Sequence, residues 1–241
     1  MTQQIHIITY ADNKFKNARE RLYKEAKNTA WFDSITAYGP ENLDVEFRTR
    51  FKDILKQPRG GGYWIWKSHI IKKKINEIND NDILIYLDAG CSINSKGKKR
   101  FNEYIDMLNN SDEGIISFQT PHPEKKYTIK EIFNYFNISL DSEITNNRHI
   151  LSTIRIMKKN TNLLHLINIE SKTLYDNPLL FTDYYNKKQD PYFKDNRHDQ
   201  SVFSVIRKMH NPILLDDETW FVPFGNKESL DYPFWATRKR N

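Results

Sequence analysis

The stretch that most constrains this chain is Ile83-Leu84-Ile85-Tyr86-Leu87, an unbroken apolar run that stops at Asp88 and is followed by Ala89 and Gly90. A short continuous run rich in β-branched residues reads as a strand covered on both faces, as at the centre of an α/β sheet. Sheets of that kind bind ligands in the crevice beyond the carboxyl ends of their strands. Asp88 falls at that end, and the two small residues after it leave room for a bulky group to approach. A carboxylate so placed suits a hard divalent cation holding phosphate oxygens. An Asp that merely opens a turn, helped by Gly90, fits the local sequence equally well.

Around this run the chain alternates between strand and helix patterns. Ile5 to Tyr10 reads as a first strand. Phe15 to Lys27 reads as a helix through Phe15, Ala18, Leu22 and Ala26, and Ser34 to Tyr38 as a second strand. A β-α-β opening implies parallel strands. Helices are expected over Lys98 to Leu108, Thr128 to Phe136 and Leu163 to Tyr175. Strands are expected at Gly114 to Phe118, ended by Pro121-His122-Pro123, and at Leu151 to Met157. No repeat or low-complexity tract divides the pattern, so residues 1–241 are expected to form one domain.

Two further segments carry charge into this frame. Arg59-Gly60-Gly61-Gly62-Tyr63-Trp64-Ile65-Trp66-Lys67 holds three successive glycines, which exclude a helix or strand interior and mark a flexible or strongly bent loop. The helix expected next places Trp64, Ile71, Ile75 and Ile78 on one face. Glycines that feed a helix start offer backbone N–H groups and a positive dipole end to an anion. Arg59 and Lys67 would flank that site, with Trp64 and Trp66 as core packing. Farther on, His198, Asp199 and Gln200 occupy the first turn of a helix whose buried face is Val202, Val205, Ile206 and Met209. An acidic residue favours that turn whatever its function.

Composition narrows the partners. A net charge of +6 comes from 37 basic residues interleaved with 31 acidic ones, a pattern of solvated surface rather than of a nucleic-acid face. Dense basic clusters occur at Lys72-Lys73-Lys74 and Arg238-Lys239-Arg240. Such an excess also suits an anionic membrane surface or a phosphorylated substrate. The single cysteine, Cys91, excludes an internal disulfide. With apolar runs too short to span a bilayer, and a Met1-Thr2-Gln3-Gln4 opening unlike a signal peptide, a cytoplasmic protein is expected.

Taken in order, Ile-Tyr-Leu-Asp-Ala-Gly-Cys around Asp88, the Arg59 to Lys67 run and the His198-Asp199-Gln200-Ser201 helix start resemble GT-A-type, nucleotide-sugar-dependent glycosyltransferases. The resemblance is to bacterial and viral enzymes that build surface polysaccharides. It implies a single Rossmann-like α/β domain with a mainly parallel central sheet flanked by helices. It also implies a nucleoside-diphosphate sugar as donor and a glycan or lipid-linked acceptor; peripheral membrane association is expected from the basic tail, which also suits anionic lipids. Donor contacts would fall on Arg59, Gly61, Gly62, Lys67, Asp88 and Ala89, and Mn²⁺ or Mg²⁺ on Asp88. His198, Asp199 and Gln200 would be catalytic, Asp199 as base toward the acceptor hydroxyl or as the group orienting the donor sugar. The family's acidic motif usually has a second carboxylate two residues after the first, where this chain has Gly90. A C-terminal segment often folds over the donor diphosphate in such enzymes, which assigns Arg238, backed by Lys239 or Arg240, to that diphosphate. The competing expectations are a catalytically silent sugar- or nucleotide-binding domain on the same fold and a nucleic-acid-binding protein.

Overall fold

The strands alternate their side chains between two buried faces, and helices cover both. The structure, a computed structural model, describes residues 2–210 and 212–241, so Met1 of the chain opening lies outside it. The strands are β1 (Ile5–Tyr10), β2 (Ser34–Tyr38), β3 (Ile83–Leu87), β4 (Ser92–Ile93), β5 (Ile115–Pro123), β6 (Arg148–Ile150), β7 (Ile154–Lys158), β8 (Ile213–Asp216) and β9 (Phe234–Trp235). The longer helices are α1 (Lys16–Thr29), α2 (Trp66–Glu77), α3 (Lys98–Asn109), α4 (Thr161–Asp176) and α5 (Asp199–Lys208).

Seven strands form one sheet in the order β2-β1-β3-β7-β5-β6, with β8 on the other edge of β5. β1 is parallel to both β2 and β3, while β7 is antiparallel to β3 and to β5. β5 therefore runs with β3, and β8 runs with β5. Only β6 and β7 oppose the common direction, so the sheet is mainly parallel. All five residues of β3 are buried. Ile83, Ile85 and Leu87 pack with Leu22 of α1 and with Phe101, Tyr104 and Leu108 of α3. Leu84 and Tyr86 point the other way, into a core shared with Ile71 and Ile75 of α2, Leu163 of α4 and Val202 of α5. This period-two division is what makes a continuous apolar strand the middle of three layers. Among the described residues no helix is long and apolar enough to cross a membrane.

Several expectations need correction. Leu151 to Met157 is not one strand: β7 begins at Ile154, and Leu151-Ser152-Thr153 bends between it and β6. The bend serves the buried Ser152, whose N–H donates to Gln200 Oε1 and whose hydroxyl donates to Asp199. β5 does not end before Pro121 but runs on to Pro123, paired with Arg148 of β6. Trp64 lies before α2 rather than on its face, because its backbone is left-handed.

Candidate active site

β1 and β3 leave the sheet side by side, and a cavity of about 650 Å³ opens over their carboxyl ends. Asp88 stands in its wall. The Asp88 N–H donates to Thr153 O, which fixes the residue against the bend before β7. One carboxylate oxygen, Oδ1, accepts from the Tyr86 hydroxyl at 2.5 Å and lies 3.2 Å from Lys67 Nζ. Tyr86 and Asp88 are two residues apart on one strand, so both side chains leave the same face and can meet. Burial pushes the Asp88 carboxyl above the usual range, against the opposing pull of Lys67 and Tyr86.

Lys67 is not at the rim of the glycine loop. Its side chain is 3% exposed and joins two carboxylates, with Nζ 2.8 Å from Asp199 Oδ2 and donating to Ser152 O at 3.3 Å. Burial pulls the ammonium down, but Asp199 and Asp88 more than offset it, and the net shift is upward. Asp199 is likewise buried. Its Oδ2 accepts from the Ser152 hydroxyl at 2.7 Å and lies 3.8 Å from Arg155. Arg155 in turn holds Glu170 through two hydrogen bonds. A chain of ion pairs, Asp88–Lys67–Asp199–Arg155–Glu170, thus runs from the cavity wall into the core, each charge facing an opposite one.

The glycine loop is strongly bent. Gly60, Gly61, Gly62, Tyr63 and Trp64 all have φ between +55° and +96°. A left-handed turn of this length needs glycine where the chain is tightest. The N–H groups of Gly62, Tyr63 and Trp64 donate to Gln57 O, Arg59 O and Gly60 O. Gly62 is therefore corrected as a donor contact: its amide is satisfied inside the loop, and a Cβ there would lie 2.7 Å from Leu55 Cα. Gly61 does border the cavity, where a Cβ would sit 3.2 Å from Asp12 Oδ2. Trp66 closes the loop by donating from Nε1 to Gly60 O, and stacks on Tyr10 with ring centres 3.9 Å apart. Arg59 reaches the cavity mouth already paired, its guanidinium 3.1 Å from both Asp183 and Asp195.

His198 has a left-handed backbone (φ 56°, ψ −120°) immediately before α5. Its ring stacks on Tyr63, and Nε2 lies 2.9 Å from Asp183 Oδ1. Burial holds the imidazole below its ordinary pKa despite that carboxylate. Gln200 bridges Ser152 N and His149 Nδ1, the latter at 3.0 Å. Ala89 lines the cavity, and its carbonyl accepts from Arg21. The C-terminal segment lies across the opening. β9 pairs with β4, the Lys239 N–H donates to Gly90 O, and the Arg238 guanidinium stands 4.8 Å from the Trp220 ring centre.

Every residue assigned to the site except Gly62 therefore borders one cavity. Tyr86, Ser152, Arg155 and His149 were missed. The period-two spacing to Asp88 could have found Tyr86. Nothing in the sequence places Ser152 or Arg155 against Asp199.

No protein-family model matches the chain, and no curated protein sequence is significantly similar to it. Solved structures are similar in fold. A glycosyltransferase involved in glycosylation of the major capsid of PBCV-1 is 13% identical, with a TM-score of 0.57 over 96% of this chain and 92% of that one. The bifunctional glycosyltransferase WbbM is 8% identical, with a TM-score of 0.52 over 96% of this chain and 42% of that one. Glycosyltransferase GlyE of Streptococcus pneumoniae TIGR4 is 10% identical, with a TM-score of 0.51 over 99% of this chain and 55% of that one. Identities this low carry the fold: the chain has the GT-A type of mainly parallel α/β architecture.

Proposed function

We propose that the chain is a glycosyltransferase, acting as one domain over residues 1–241. It moves a sugar from a nucleoside-diphosphate donor to a hydroxyl of a glycan or lipid-linked acceptor, in polysaccharide or surface-glycan synthesis. The observation that carries this reading is the placement of Asp88 at the end of β3, in the wall of a cavity rimmed by Arg238 and Lys239. Transfer requires a leaving diphosphate to be stabilised as its charge develops, and cations fixed beforehand in a cavity do that at little reorganisation cost. Asp88 is the donor-sugar contact, since Lys67 and Tyr86 orient it through Oδ1 and leave Oδ2 for a sugar hydroxyl. Asp199 is engaged on both sides, with Oδ2 2.8 Å from Lys67 Nζ and 3.8 Å from Arg155. Its role is to position Lys67, which favours the donor-orienting assignment. Gln200 and His198 border the sugar end, and Arg59 closes the mouth through Asp183 and Asp195.

Mn²⁺ or Mg²⁺ on Asp88 does not fit the donor set. A hard cation asks for several oxygen ligands, yet Asp88 Oδ1 already faces an ammonium and a hydroxyl. Among the described residues no three His, Cys, Asp or Glu side chains gather into a metal-holding group.

A silent sugar-binding domain is the second reading, favoured by the pairing of Asp199 with two cations. A thermal-shift screen of nucleotide sugars tests the donor assignment, because a ligand of the native state raises the melting temperature by mass action. At least one nucleotide sugar should raise it. If none does at millimolar concentration, the reading fails.

A further inference from the structure

We infer that this chain binds the donor diphosphate without a divalent metal, its own docked C-terminal cations taking the metal's place. The inference rests on the donor reading above and deepens it. Its first support is Gly90, the position of the missing second carboxylate. A Cβ built there lies 3.2 Å from Arg238 Cα, tighter than most Cβ contacts, and 3.4 Å from Lys239 O, already in contact. The Gly90 carbonyl accepts both the Lys239 N–H at 2.9 Å and the Thr237 hydroxyl at 2.8 Å. A carboxylate side chain at this position and the docked tail compete for the same space, and the chain has the tail.

The tail is also built to stay. Phe234 is buried, Ser92 and Ile93 pair with Trp235 and Phe234, and Ala236 N–H donates to Thr219 O at 2.8 Å. Beyond the strand, Arg21 Nε donates to Asn241 O at 2.9 Å. Arg238 is held over Trp220, and the Arg240 guanidinium lies 5.8 Å from the Phe15 ring centre. Three cations on an anchored segment border the cavity that Asp88 enters. Guanidinium groups so fixed bind phosphate oxygens through charge-assisted, often paired hydrogen bonds.

The second support is Lys67. A divalent ion in the family's place would draw carboxylates toward itself. Here a buried ammonium sits between Asp88 and Asp199, at 3.2 and 2.8 Å. A second cation on Asp88 would face that ammonium at close range in a site screened little by water.

The test is calorimetric titration of UDP, GDP, ADP, CDP and dTDP into the full chain, in EDTA and again in excess Mn²⁺. At least one nucleoside diphosphate should bind in EDTA, with an affinity that Mn²⁺ changes by no more than about threefold, under 1 kcal/mol. The Arg238→Ala/Lys239→Ala variant should bind it about ten- to hundredfold more weakly at an unchanged melting temperature, as expected for lost charge-assisted contacts. Binding that appears only with Mn²⁺ overturns the inference and leaves the donor reading standing. A tail variant that binds as tightly as the wild type overturns the role of the tail. Failure of all five in both buffers removes the donor reading and this inference with it.

Discussion

Lys67 shows at the residue scale how far distance departs from sequence. The sequence places it as an anion contact at the end of a glycine loop, yet it is the buried link between Asp88 and Asp199. No spacing in the chain could reveal this, because Asp199 lies on a helix more than a hundred residues away. Asp88 was legible because strand period and strand end together fix where it emerges. Two predictions belong here. Lys67→Met leaves the buried Asp199 and the partly buried Asp88 without their shared cation, and should lower stability by about 3–5 kcal/mol at pH 7. Urea unfolding measures it. Burial already pushes the Asp88 carboxyl upward, and its protonation removes the uncompensated charge, so the deficit should shrink as pH falls. A variant as stable as the wild type would remove the ion-pair chain from the account. Asp88→Asn keeps the Lys67–Asp199 pair, so its melting temperature should stay near that of the wild type while donor turnover falls by about a hundredfold or more. The first-turn dipole once assigned to Asp199, about 0.3–1 kcal/mol, is minor beside its contacts with Lys67 and Arg155.

At the scale of elements, the regular pieces were legible and the irregular ones only in outline. β1, β2 and β3 carry their apolar pattern openly and fall where the sequence puts them. The glycine run was legible as a bend, but not its hand or its closed hydrogen bonds, which depend on Gln57 and Trp66. The break between β6 and β7 escaped because its cause, Ser152 bonding to α5, is nonlocal. β8 went unread for the same reason: Ile213 to Asp216 is a short strand defined by its pairing with β5. The Gly62→Ala variant tests the loop. With φ at +96° and a Cβ 2.7 Å from Leu55 Cα, strain alone should cost about 1–3 kcal/mol, with contact repulsion added. Denaturant unfolding that shows no loss would mean the loop can adopt another turn.

The whole molecule combines a sheet with two buried faces and a set of groups whose ionisation folding perturbs. His149 and His198 are both held below the ordinary imidazole pKa by burial. In the unfolded chain each takes up a proton near pH 6.5, whereas in the folded protein each resists it. Their contribution is therefore fully present above about pH 6.5 and is lost as pH falls toward the depressed folded values, by up to about 1.4 kcal/mol per pH unit for each group. Melting temperature should drop between pH 7.5 and 5.5, and His149→Gln should flatten the slope; an unchanged slope would show that His149 is not titrating as described.

The central claim is that the cavity over β1 and β3 transfers a sugar from a nucleotide donor, with Asp88 at its centre. Its most direct measurement is the release of nucleoside diphosphate from a panel of nucleotide sugars, comparing wild type with Asp88→Asn. The wild type should turn over at least one donor, and the variant should do so about a hundredfold more slowly or worse. If the wild type releases nothing from donors that raise its melting temperature, the cavity binds but does not catalyse; if Asp88→Asn matches an active wild type, Asp88 is not at the centre of the reaction.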